Sequence, residues 1–242
     1  MKQRQLGLSL IELMIALALG LIIVLGVTQT FISAKNTYLT QNASAAMQED
    51  ARYILTRMSQ EIRMTGMFGC IATTKITPPV TDLAKYNLAI ANPVTWTVDN
   101  TNGNRLMLVT ADVGTAGTAP TWTVLSDCVT TATAYNGAAV PAAGQLAFPI
   151  RQVFYSYRNN TIFTGAVGAL QPLISNVSAF DVMFGLASTA DGTSVSSYVA
   201  TPAQAQMPMI RTVRLTLTMT DPNARVRDQK YSVVAALRNR LE

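Results

Sequence analysis

The chain has 242 residues, 49% of them hydrophobic and 13% charged, with two cysteines, no histidine and a formal net charge of +5. The absence of histidine removes Ser-His-Asp and Cys-His nucleophilic machinery and imidazole metal ligands, and two cysteines cannot complete a four-cysteine zinc site. No constellation for an enzyme or a cofactor stands out, and the apolar content is too high for a disordered chain.

The basic residues sit at the two ends. Residues 64–210 carry five Lys/Arg against six Asp/Glu, whereas residues 211–242 carry seven against three. No basic stripe with interleaved aromatics appears along the chain, so nucleic acid is not an expected partner.

The first element is "RQLGLSLIELMIALALGLIIVLG". From Leu13 to Ala34 there are 22 residues without a charge, enough at about 1.5 Å per residue to cross a hydrocarbon core of about 30 Å. Lys2 and Arg4 precede it, which places the N-terminus on the cytoplasmic side. A cleaved secretory signal would end at the "ALA" of residues 16–18, but the apolar run continues through Val27. A lipoprotein signal needs a cysteine, and the first is Cys70. A plain anchor leaves Glu12 unexplained, a carboxylate that costs about 2.5–3.5 kcal/mol deep in a bilayer.

The stretch "GLSLIEL" behind a short basic leader resembles the signal of type IV pilins and pseudopilins. That resemblance implies cleavage after Gly7 by a prepilin peptidase, methylation of the new amine on Leu8, and a role in subunit assembly for Glu12, fifth in the mature chain. Glu12 would meet the N-terminal amine of a neighbouring subunit. Such a pair attracts strongly where the dielectric is low, and it fixes register. Leu8 departs from the family's usual phenylalanine.

The helical pattern continues without Pro or Gly from Thr37 to Thr65. Met47, Ala51, Ile54, Leu55, Met58 and Ile62 recur at spacings of three and four, one apolar face. Glu49, Asp50, Arg52, Arg57, Gln60, Glu61 and Arg63 lie mostly off that stripe. Gly66 and Gly69 in "TGMFGC" provide stops. A helix from Leu8 to Thr65 would be about 87 Å long.

Residues 70–147 read as short strands joined by long loops. "RLMLVTA" at 105–111 and "TWTVLS" at 121–126 are the strand-like pieces. Asn102-Gly103 and "YNGAAVPAAG" are turn signals. Further on, "IRQVFYSYRN" at 150–159 and "NTIFTG" form a hairpin about "RNNT". "NVSAFDVMFGL" at 176–186, "MIRTVRLTLTMT" at 209–220 and "KYSVVAALRNR" at 230–240 are further strands. The alternation of Val213, Leu215, Leu217 and Met219 with Arg214, Thr216, Thr218 and Thr220 predicts an antiparallel sheet with one covered face. The expected fold class is α+β and pilin-like: a long N-terminal helix packed on an antiparallel sheet head with long loops.

"ARYILTRMSQEIRMTGMFGC" together with the closing "VRLTLTM…YSVVAALRNR" resembles the PilW class of type IV pilus minor pilins, and J-class minor pseudopilins of type II secretion are similar. The resemblance implies a leader at 1–7, a membrane or fibre-core half at 8–34, an amphipathic half at 35–66 and a periplasmic head at 67–242. It implies as partners the prepilin peptidase, other minor pilins, the major pilin and a PilY-type tip adhesin, with the inner membrane as host before assembly. In the oxidising periplasm Cys70 and Cys128 are expected to pair, the alternative being two buried free thiols. A DNA-uptake pilin is a further alternative, motivated by Arg211, Arg225, Arg227, Lys230, Arg238 and Arg240. No calcium-ligand spacing surrounds Asp181 or Asp191.

Overall fold

The structure, a computed structural model, describes residues 9–98, 103–111, 119–166 and 168–237. Gly7, Leu8, Asn102, Arg238 and Arg240 lie outside the described residues. Helix α1 runs from Leu10 to Arg63. The chain divides into two compact units, residues 1–46 and 47–242.

The first unit consists, among described residues, of the N-terminal part of α1. Its apolar side chains are exposed on all sides, Leu10 by 80% and Leu25 by 68%. The helix is therefore not amphipathic here. It lacks both the polar face of a soluble helix and a protein core of its own. Four of its hydroxyls are satisfied locally: those of Thr28, Thr30, Thr37 and Thr40 donate to carbonyls four residues earlier, at 2.8–3.0 Å.

The second unit begins with the last turns of α1. There the expected stripe is inward: Met47, Ala51, Ile54, Leu55, Met58 and Ile62 are all buried. The helix stops at Gly66, whose φ of +81° favours glycine. The Gly66 N–H leaves the helix and donates to the Val109 carbonyl at 3.1 Å.

After α1 come β1 (Ile76–Thr77), α2 (Leu83–Ala91), β2 (Val94–Thr97), β3 (Asn104–Ala111), β4 (Trp122–Ser126), β5 (Ala132–Asn136), β6 (Leu146–Arg158), β7 (Thr161–Ala166) and β8 (Ala169–Ile174). These strands build a first sheet in the order β1-β5-β4-β6-β3-β2. The long β6 also pairs with β7, and β7 with β8. A second sheet, in the order β10-β9-β11-β12, contains β9 (Val177–Leu186), β10 (Ser197–Val199), β11 (Ile210–Met219) and β12 (Gln229–Ala236). All pairings are antiparallel except the short β1–β5 pair.

This is the α+β, pilin-like architecture: a long N-terminal helix followed by antiparallel-rich sheet. Two sheets stand where alternation suggested one, because alternation reports which face of a strand is covered but not its neighbour. At Asn176 (φ +60°) the chain leaves β8, and the Val177 N–H bonds to Asn160 rather than extending that sheet. The hairpin about "RNNT" forms as read. Asn159 and Asn160 both have positive φ, as a tight turn between twisted strands requires.

The side chains fall into two cores. One joins the α1 stripe to both sheets, through Leu106, Leu108 and Tyr155 on the first and Phe180, Phe184, Val213, Leu215 and Leu217 on the second. The other lies on the opposite face of the first sheet, where Val109, Trp122, Val124 and Ile150 pack with Phe68 and with Tyr86 and Ala89 of α2. Successive β3 residues thus serve different cores, as a strand buried on both faces must.

Candidate assembly surface and its support

Glu12 sits in the first turn of α1 and is exposed. Its own N–H and that of Leu13 donate to the Ser9 carbonyl, at 3.1 and 3.2 Å. A carboxylate in the first turn meets the positive end of the helix dipole, a favourable place for an acid worth about 0.3–1 kcal/mol when exposed. Between Glu12 and Lys35 the helix offers a partner apolar, small or hydroxyl side chains and one amide, Gln29. Nothing lies within 4 Å of a Cβ added at Gly20 or Gly26, so both are places where another helix could approach the backbone. The helix is long and apolar enough to cross a membrane.

The other two residues read from the sequence as sites lie in the head. Cys70 and Cys128 are joined as a disulfide with Cα atoms 5.3 Å apart. The bond ties the segment just after α1 to the turn between β4 and β5. Asp127 organises that turn by accepting the N–H groups of Val129, Thr130 and Thr131, each at 2.9 Å. Those donors hold its carboxyl well below the usual carboxylate range.

Glu61 corrects one expectation. Grouped with the residues mostly off the apolar stripe, it is nonetheless 3% exposed, inside the joint between α1 and the first sheet. The Tyr155 hydroxyl, fully buried on β6, donates to Glu61 Oε2 at 2.7 Å, and Arg57 Nε approaches Oε1 at 3.4 Å. The Glu61 backbone carbonyl accepts from Thr65 and from Thr110 of β3. Burial pushes the Glu61 carboxyl up, against the lowering effect of the Tyr155 hydroxyl, Arg57 and Arg151. Sequence periodicity missed this residue because Glu61 neighbours Ile62 at the edge of the stripe. The one signal was the i, i+4 spacing from Arg57.

Of the described basic residues near the C-terminus, Arg211 is withdrawn from the surface. Arg211 is 3% exposed, and its guanidinium donates to the carbonyls of Ala190, Gly192, Pro208 and Ile210. It fastens the loop between β9 and β11 and is not available to a polyanion. Arg225, Arg227 and Lys230 are exposed.

Residues 2–28 match the family described as the prokaryotic N-terminal methylation motif. The match takes in Gly7, Leu8, Glu12 and the exposed apolar helix as far as Thr28, and it supports a pilin-like or pseudopilin protein. A comparison with curated proteins finds no match. Such a motif implies processing by a prepilin peptidase and a place among pilus or pseudopilus components. The apolar helix is consistent with anchoring in a membrane.

Proposed function

We propose that this chain is a minor pilin of the PilW class that takes part in priming type IV pilus assembly and enters the fibre near its tip. Supporting this is one conjunction: a methylation motif, a lone carboxylate in the first turn of an unpartnered apolar helix, and a β-rich head that follows in the chain. The prepilin peptidase removes residues 1–7 and methylates Leu8. Residues 8–34 hold the protein in the inner membrane with the head in the periplasm, and later lie in the fibre core. Glu12 neutralises the N-terminal amine of an adjacent subunit there. A buried carboxylate without that partner would cost more than the packing returns. The head presents loops and strand edges to other minor pilins, the major pilin and a PilY-type adhesin. Twitching motility and adhesion depend on it through the fibre, and its work is association rather than catalysis. A minor pseudopilin of type II secretion is the second reading, because the same motif serves both.

Mass spectrometry of the N-terminal peptide, on sheared surface fibres and on membranes, tests the proposal. A peptide beginning at N-methylated Leu8 in the fibre fraction is the expected result. The same peptide confined to membranes favours the pseudopilin, and a chain still beginning at Met1 overturns both.

A further inference from the structure

The second sheet ends in a strand whose outer edge no described strand covers. β12 pairs with β11 over eight consecutive positions, Gln229 to Ala236, without a register shift. It contains no proline and no bulge. The other terminal strands are blunted: β1 has two residues, β10 three and β2 four. β8 carries Pro172 and pairs with β7 through a register shift. The part of β9 beyond β10 has its Val177 and Ser178 carbonyls engaged by the Tyr157 hydroxyl. Soluble β proteins protect long edges because such an edge is a template for another strand. Here a single outward lysine, Lys230, is the only such device on the strand.

The edge has two sides of different chemistry. Tyr231 and Val233 are only partly buried where they pack on the main core, so that core is open along this border. On the outward side stand Lys230, Ser232 and Val234, all exposed, and Arg225 and Arg227 are exposed in the preceding loop, whereas Arg214, beside Val234 on β11, has its guanidinium stacked over the Tyr198 ring of β10. The acids near these cations are Asp181, a strand further in on β9, Asp228, which accepts from Ser178, and Asp221, which accepts the Arg225 N–H and lies in that arginine's field.

We propose that the free edge of β12 takes up an extended segment of another protein chain, in which apolar residues alternate with acidic ones. Backbone hydrogen bonds supply the pairing and the alternate side chains the selectivity. The apolar residues complete the border at Tyr231 and Val233, where aromatic and β-branched neighbours stabilise each other. The acidic residues face Lys230 and the exposed Arg225 and Arg227. The inference stands on the head's own geometry and does not require the pilin reading.

The test uses the full-length chain in detergent micelles and an acetylated, amidated eight-residue peptide of alternating Val and Glu. Hydrogen exchange is followed at residues 229–236. The Val/Glu peptide should slow exchange there and leave α2 unchanged. The same peptide with alternate amides N-methylated should have no effect. A Val/Lys peptide should bind more weakly, and Lys230→Glu should reverse that preference, by up to about fivefold per exposed pair. Adsorption of the peptide to micelles leaves exchange at β12 unchanged and overturns the proposal. Equal protection by the N-methylated peptide does so too, as does protection indifferent to the sign of residue 230.

Discussion

At the scale of single residues, two carboxylates on one helix meet opposite surroundings. Glu12 is exposed at the first turn with no partner of its own chain near its side chain in the described residues, whereas Glu61 is enclosed by Tyr155, Arg57 and Thr110. Removing the Glu12 charge should therefore leave the head intact. Glu12→Leu is expected to insert in the membrane and be cleaved normally, yet to be depleted from sheared fibres. Quantitative immunoblotting of fibre and membrane fractions reads this, and normal incorporation would sink the pairing account. Gly7→Val should leave a full-length, unmethylated precursor, visible as a mass heavier by the leader.

Glu61 makes a pH prediction. Its folded carboxyl is pushed above the ordinary value of 4.5 by burial, so the folded state holds the proton more tightly than the unfolded one. The stabilisation from this linkage is full below about pH 4.5 and is lost as pH rises through the folded value. In Glu61→Gln, which keeps an acceptor for Tyr155 and cannot ionise, that part of the decline with rising pH should vanish. Thermal melts of the full chain across pH 4–8 test it; an unchanged pH slope would contradict the buried position. Tyr155→Phe should cost about 1–3 kcal/mol, because it leaves the buried carboxylate short of a donor.

At the scale of elements, the disulfide matters more than the length of the segment it closes suggests. Between Cys70 and Cys128 lie β1, α2, β2, β3 and β4, with a sequence separation of 58. A cross-link over such a loop is worth about 4 kcal/mol on the chain-entropy model. Cys128→Ser should lower the denaturant midpoint accordingly, while the α1 stripe and β9–β12 keep their exchange protection. A uniform loss of protection would mean that the two cores are not separable.

Elements differed in how far they could be read from sequence, for physical reasons. The α1 stripe, β11 and the β6–β7 hairpin were legible because each couples a period or a turn to a face that is buried. α2 was not. "LAKYNLAIA" has no side-chain cap at Asp82 and only Tyr86 and Ala89 fully inside, so its signal is short and weak. β5 was not singled out: its last two residues, Tyr135 and Asn136, open the stretch read as turn, and the chain does turn just after them at Gly137. The division of the strands into two sheets was invisible because register with a distant strand leaves no local mark. Of the candidate site, the motif around Gly7, Leu8 and Glu12 was legible as a local string. The enclosure of Glu61 and the capture of Arg211 by carbonyls depend on contacts 94 and 21 residues away, beyond any local pattern.

At the scale of the whole molecule, the chain has two kinds of apolar surface. Among the described residues, the apolar side chains of 47–237 are mostly spent on two internal cores, and those of 9–46 are almost all exposed. A protein so composed needs an outside host for its first unit, lipid or the helices of other subunits.

The threonine hydroxyls of α1 bear on the passage between those hosts. Thr28 and Thr30 return their protons to carbonyls of their own helix, so neither asks anything of its surroundings. In hydrocarbon, an unanswered hydroxyl would hold the helix to water or headgroups, and between packed helices it would demand a matching acceptor. With both already answered internally, the count of hydrogen bonds is the same in either host. The helix can leave one oily environment for another with shape, the Gln29 amide and the charge of Glu12 left to decide where it stays.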